Sequence, residues 1–176
     1  MSDDHVVFAS AVEAMGKLLA ASPATYEAAT KLGFNFKKPE SAYQRKTWEQ
    51  LLPLASQGLF PKVSRAEALR SLGRLTVEHY GTGLVGTALF ALLKLIGPMR
   101  AIHRTRRNFR TSNNYTECRI TERSPREVLL WMNEIEFSDY TAGVLEAGIA
   151  AAGAKNVRIA LQGVEGDGTN FLVTWD

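Results

Sequence analysis

Cysteine is nearly absent from this chain. The single thiol, Cys118, excludes an internal disulfide and any site built from several thiolates. Histidine is almost as scarce. His5, His79 and His103 lie far apart, and no HxxxH or His/Cys pair supplies metal-ligand spacing. No apolar run reaches the roughly 20 residues of a membrane span. The longest, Leu84 to Ile96, is interrupted by Lys94. A strong excess of one charge is also missing, since a net charge of +3 does not by itself point to nucleic acid. The opening MSDDHVVF has no basic region followed by an apolar core, so no secretory leader is expected and the cytoplasm is the expected compartment. No Ser-His-Asp or Cys-His arrangement stands out, so no catalytic residue is assigned and an enzyme is not the expected class.

What is present is a chain with two periods. Phe8, Val12, Met15 and Leu19 recur at helical spacing. Ser22-Pro23 restarts a helix that stops at Gly33, and FNFKKPESAY reads as a loop. Trp48, Leu51, Leu52 and Ala55 mark a third helix with a kink at Pro53. Ser64 and Glu67 form a capping box ahead of Leu69, Leu72, Thr76 and Tyr80. The most apolar stretch, Gly81 to Pro98, follows. A helix apolar nearly all round is expected at the centre of a fold, covered on most sides.

After Asn108 the period falls from about 3.6 to 2. Thr116 to Thr121 alternates, Val128 to Trp131 is apolar on both faces, and Val157, Ile159 and Leu161 alternate again. Glu165-Gly-Asp-Gly168 reads as a hairpin loop before Phe171, Val173 and Trp175. Between the second and third strands, Thr141 to Ala152 is a helix of small residues. The expectation is an α+β fold in one domain over 1–176: a helical half, about 6–107, on a four-stranded antiparallel sheet in a strand-strand-helix-strand-strand half, about 108–176.

Two stretches imitate functional motifs. Gly81-Thr-Gly83-Leu-Val-Gly86 has the letters of a dinucleotide fingerprint, but a helix precedes it where that motif needs a strand. Small residues that let the helix bend, or let another element approach, explain it better. Arg100 to Arg110, RAIHRTRRNFR, could hold a phosphate or carboxylate through Arg104, Arg106 and Arg107, with Phe109 free to stack. The plainer reading is a solvated connector, and one basic stretch without a reader motif argues against nucleic acid as a partner. Asn113-Asn114-Tyr115 suits capping of the first strand by side-chain bonds to backbone.

Four blocks carry a resemblance: LGRLTVEHYGTGLVGTALFALLKLIGPMRAIHR, NFRTSNNYTE, VLLWMNE and TAGVLEAGIAAAGAKNVRI. Together they resemble a family of unknown function expanded in myxobacteria. More distantly, the second half resembles the vinyl-4-reductase ligand-binding domain and its heme-nitric-oxide-binding and Golgi-tethering relatives. That resemblance implies helices on a four-stranded antiparallel sheet, an apolar pocket and frequent dimers. The vinyl-4-reductase type places cysteine or histidine before the Thr-Ala-Gly helix and cysteine in the last hairpin. Here Ser138-Asp139-Tyr140 and Gly166 to Asn170 stand there, so zinc is not expected. The Tyr-x-Ser-x-Arg heme-propionate motif is missing as well, and heme is disfavoured. No cofactor is expected.

The expected function is therefore a non-enzymatic binding or sensing domain for a small apolar ligand in cytoplasmic signalling. The alternative is a scaffolding module that binds other proteins. Tyr80, Leu84, Ala88, Cys118, Leu130 and Trp131 are the expected pocket lining, being apolar or aromatic on faces that should turn inward. A homodimer is expected through Thr141–Ala152, because that helix carries one charge, Glu146, and more apolar surface than one sheet can cover.

Overall fold

The structure, a computed structural model, describes residues 4–176. The chain opens with a short strand β1 (Val6–Phe8), then α1 (Ala9–Leu19) and α2 (Pro23–Lys31). A second short strand β2 (Ala42–Gln44) leads into α3 (Arg45–Leu59), α4 (Arg65–Tyr80) and α5 (Leu84–Ile96). Two single-turn pieces follow, α6 (Pro98–His103) and α7 (Thr105–Phe109). The second half is β3 (Cys118–Ser124), β4 (Glu127–Met132), α8 (Ser138–Ala151), β5 (Arg158–Glu165) and β6 (Gly168–Thr174). The fold is α+β, as the change of period implied. Its four-stranded sheet is antiparallel throughout, in the order β3-β4-β6-β5.

Side-chain alternation orients that sheet. Val128, Leu130 and Met132 of β4 are buried and meet Phe171 and Val173 of β6, while Leu129 and Trp131 turn to the other face. Helix α8 covers the inner face with Ala142, Leu145 and Ile149. A second core joins α1, α3 and α4 around Met15, Trp48, Leu51, Leu69 and Leu72. The sheet core and the helical core meet where α4 crosses α8.

That crossing is unusually close. A Cβ on Gly143 would collide with the Arg70 carbonyl, and one on Gly73 with the Tyr140 carbonyl. Above the contact, Arg70 and Arg74 both reach Glu146, at 3.3 and 3.2 Å. Arg70 also donates to the Ile159 carbonyl at 2.5 Å, tying α4 to β5 across α8. Gly143 is thus explained within one chain, and α4 takes that face of α8, which removes it as the surface for a twofold partner.

Two further readings need correction. The segment read as a loop carries β2, which pairs with β1 from Val6↔Gln44 to Phe8↔Ala42. Three-residue strands are too short to show a period. And α5 is not central. It meets α4 at 97° and lies on the surface, with Leu84 91% and Leu95 84% exposed. Among the described residues no single helix is long and apolar enough to cross a membrane; α4 and α5 reach that length only as a bent pair. The capping box is as expected, with the Ser64 hydroxyl accepting from the Glu67 amide at 3.2 Å.

The α4–α8 contact yields the first prediction. Gly143→Ala should lower unfolding free energy by roughly 1–3 kcal/mol, the usual cost of overpacking. Gly148→Ala, on the same helix with nothing within 4 Å of the added carbon, should instead gain up to about 1 kcal/mol from helix propensity. Urea denaturation followed by circular dichroism separates the two.

Candidate functional site

An apolar cavity of about 170 Å³ lies where the two cores meet. Its wall is assembled from most of the chain. The end of α4 supplies Thr76, Val77 and Tyr80, the inner face of α5 supplies Leu89, Phe90 and Leu93, and α8 supplies Tyr140, Thr141, Val144, Leu145, Gly148 and Ile149. The α6–α7 segment adds Ala101, Thr105, Asn108 and Phe109. Val7, Ala11 and Trp48 close the side toward the helical core.

Glycines let α5 act as a wall. Gly86 packs against the Tyr80 carbonyl, where any Cβ would clash, and Gly81 against the Phe90 ring. The fingerprint-like Gly81 to Gly86 therefore serves a tight fold-back of α5 over the end of α4, not a phosphate. Tyr80 is held by its hydroxyl, which donates to Thr111 Oγ1 at 2.9 Å.

The loop between α7 and β3 is pinned from two sides. The Ser112 carbonyl accepts from the Phe8 amide at 2.8 Å, and Asn113 Oδ1 accepts from the Tyr115 and Thr116 amides at 3.1 and 3.0 Å. Asn114 Oδ1 accepts from the Val6 amide at 2.8 Å. These are the side-chain-to-backbone bonds the paired asparagines suggested.

One end of the cavity is polar. Glu49, Asn133, Glu134 and Tyr115 line it. Arg45 stands behind them, 2.6 Å from Glu49, 3.5 Å from Glu134 and 4.5 Å from the centre of the Tyr115 ring. Burial holds the Glu134 carboxyl above its ordinary range, opposed by the Phe137 amide and Arg45. Burial also pushes the Tyr140 phenol up to about 12, and raises Tyr115 further.

Of the six residues expected to line a pocket, the structure places only Tyr80 there. Leu84 and Ala88 sit on the outer face of α5, in solvent. Leu130 is fully buried in the sheet core, away from the cavity, and Cys118 packs at the edge of the same core with its thiol raised by burial. Trp131 lies on the opposite face of the sheet, under the Arg119 guanidinium at 4.2 Å, and donates to the Glu165 carbonyl. The expected anion contacts are also not assembled. Arg106 is paired with Glu117 at 2.7 Å, Arg107 is exposed, and the Nε of Arg104 is buried without a partner. Phe109 lines the cavity. Sequence reasoning missed Asn108 and the α8 residues Val144, Gly148 and Ile149. The small-residue pattern of α8 was a signal for them, but it was taken for a subunit interface.

The family model for DUF2378, described as a protein of unknown function, matches residues 5–176. The chain belongs to the DUF2378 family. No curated protein matches the sequence. Among solved structures this DUF2378 chain is similar to H-NOX proteins. One is a mutant of the K. algicida H-NOX protein in the Fe(II) unliganded state, with 15% identity, 96% of each chain covered and a TM-score of 0.65. A second is an oxygen-binding H-NOX domain related to soluble guanylate cyclases, in its oxygen complex, with 12% identity, 95% of this chain and 92% of that chain covered, and a TM-score of 0.61. A third was solved in work on modulating heme redox potential through protein-induced porphyrin distortion, with 12% identity, 93% and 90% covered, and a TM-score of 0.60. At such identities the likeness establishes the fold.

It also overturns one expectation. Heme was disfavoured on a missing motif, yet the fold carried from end to end is that of proteins described by their Fe(II) and porphyrin. The residues present set terms for such a group. Iron is held in proteins by His, Cys, Met or Tyr, and this wall offers Met132, Tyr80, Tyr115 and Tyr140. The space is near the roughly 150 Å³ that holds one benzene ring, so a four-pyrrole macrocycle would not fit it as it stands.

The buried phenol generates a test. A raised folded pKa leaves stability intact below the ordinary value of 10.0 and removes it as pH climbs through about 12. Wild type should lose stability above pH 10 as its buried phenol is forced toward ionisation, and Tyr140→Phe, which has no phenol to ionise, should be spared that loss. Denaturant titrations across the alkaline range measure it.

Proposed function

We propose that this DUF2378 chain is a non-enzymatic ligand-binding or sensing module whose ligand is a compact, mainly apolar molecule. The observation that carries this is the cavity, which sits between two well-packed cores and is walled by α5. Interiors close-pack, so a void of this size at the junction of two cores is a feature of the fold rather than a packing residue. Its wall is apolar along α4, α5 and α8 and polar at one end, the usual make-up of a small-molecule site. Likeness to the H-NOX proteins supports the sensing role, since those proteins use the same scaffold to hold oxygen or a heme group. No catalytic step is assigned to the polar end, where Arg45 neutralises part of the charge of Glu49 and Glu134.

Native mass spectrometry of freshly purified protein, followed by solvent extraction, tests this reading. A stoichiometric compact apolar adduct supports it, and a heme adduct replaces the compact ligand with a cofactor. Gly148→Leu should abolish the adduct without unfolding the chain, because Gly148 lines the cavity and an added carbon meets nothing within 4 Å. Retention of the adduct by that variant moves the site elsewhere.

A second reading, an interaction module, is favoured by the outer face of α5. Leu84, Ala88, Ala91 and Leu95 recur there at spacings of four, three and four, all exposed. A twofold partner presents this same patch, each residue i meeting j and j meeting i. In this reading the chain forms a homodimer through α5. Sedimentation should then give twice 19.4 kDa for wild type and 19.4 kDa for Leu95→Glu. A wild-type monomer at micromolar concentration removes the dimer.

A further inference from the structure

Helix α5 turns a row of aliphatic side chains into water. Leu84 is 91% exposed, Leu95 84%, Val85 44% and Leu92 37%, with Ala88 and Ala91 exposed between them. Helical spacing puts these six on one side, while Gly86 and Leu93 are buried on the other. A contiguous apolar patch of this kind marks a surface that something covers. Charge is distributed unevenly around it. Between Glu78 and Glu117 the chain has no carboxylate. Lys94 sits in the last turn of α5, and Arg100 and Arg107 follow on α6 and α7. All three are exposed, and none forms an ion pair among the described residues. Arg106 and Arg110 differ, being paired with Glu117, as His103 is with Glu122. The other end of α5 is mixed: Lys17 donates to Thr82 Oγ1 at 3.1 Å, while Glu78 is exposed on α4.

We propose that α5 docks on an anionic lipid surface. It lies in the plane of the bilayer, with its aliphatic face among the upper acyl chains and Lys94, Arg100 and Arg107 at the headgroups. The inference goes beyond the ligand-binding reading and does not depend on it. A helix that binds an interface this way needs an apolar face and a cationic margin. It does not need to span, and 13 residues are too few to do so. The homodimer considered above is the competing occupant of the same face, and the chemistry of the face favours lipid. Its large exposed side chains are all leucine or valine, without the aromatic or arginine anchors that dominate protein interfaces. A second copy presents the same patch, which has no carboxylate to meet Lys94 and Arg100. Anionic headgroups supply that charge, and each basic residue near such a surface strengthens binding about fivefold.

Co-sedimentation of the full chain with large vesicles tests this, one set of phosphatidylcholine and one of phosphatidylcholine mixed with phosphatidylglycerol. Wild type should bind the mixed vesicles, and the neutral ones roughly tenfold or more weakly. Leu84→Ser and Leu95→Ser should each weaken binding to the mixed vesicles by about tenfold or more, the contribution of one leucine leaving water. Lys94→Gln should weaken it about fivefold, on the mixed vesicles alone. These side chains are exposed, so the variants should keep the circular dichroism of wild type. Failure of wild type to bind the mixed vesicles overturns the proposal. Binding that is unchanged in both serine variants overturns it too, since the contact then lies elsewhere. A wild-type dimer that leaves the vesicles unbound, and that Leu95→Glu splits, gives the face to a second copy instead. None of these outcomes bears on the cavity, whose test is the adduct.

Discussion

Everything in this molecule depends on how closely α4 and α8 approach. Gly73 and Gly143 face carbonyl groups of the opposite helix, and no larger residue fits at either place. That contact decides the distance between the helical core and the sheet core. It also decides what lies beside it, since Tyr80 of α4 and Gly148 of α8 both line the cavity. The arginine pair on Glu146 and the reach of Arg70 to the Ile159 carbonyl lock rotation about the crossing. Because these ion pairs are partly exposed, each contributes little alone. The closeness of the backbones holds the geometry, and the charges set its register.

Much of the fold was legible because its signals are local. A period of 2 over Thr116–Thr121, a glycine hairpin at Glu165–Gly168 and a Ser64–Glu67 box each need only a few neighbouring residues to be read. The two short strands Val6–Phe8 and Ala42–Gln44 were not legible, since three residues carry no period and their pairing spans more than thirty residues of chain. Helix α5 was misplaced for a different reason. Apolarity all round says that both faces avoid water, but not that one chain supplies both covers. Here one face has Tyr80 and the cavity beneath it, and the other has solvent.

The candidate site was legible only at Tyr80, and the failures share a cause. Choosing inward-facing residues requires the phase of each element relative to its neighbours, which tertiary packing sets. Leu84 and Ala88 were right in period but wrong in phase by half a helical turn. Leu130 was right in phase, yet it faces α8 so tightly that no space remains beside it. Trp131, one residue on, points through the sheet to the other side, as the pleat demands. Asn108 was not legible, because its place in the wall comes from the α6–α7 turn, where its Nδ2 donates to the Ala101 carbonyl of α6.

The helix that walls the cavity on one side, α5, is lightly anchored. Glycines bracket α5 at Gly83 and Gly97, the latter at φ 79°, which only glycine adopts freely. Among its side chains only Leu93 is fully buried; Leu89 and Phe90 are half-covered. Burying a leucine fully is worth about 1.5–3 kcal/mol, so lifting α5 forfeits a few such contributions, while separating α4 from α8 would open both cores. Local opening follows the weakest set of contacts. Of the three helices that wall the cavity, α5 is thus the one whose displacement forfeits least. A scaffold that holds α4 and α8 rigid while leaving one wall on two glycine joints can keep its fold and still change what it encloses.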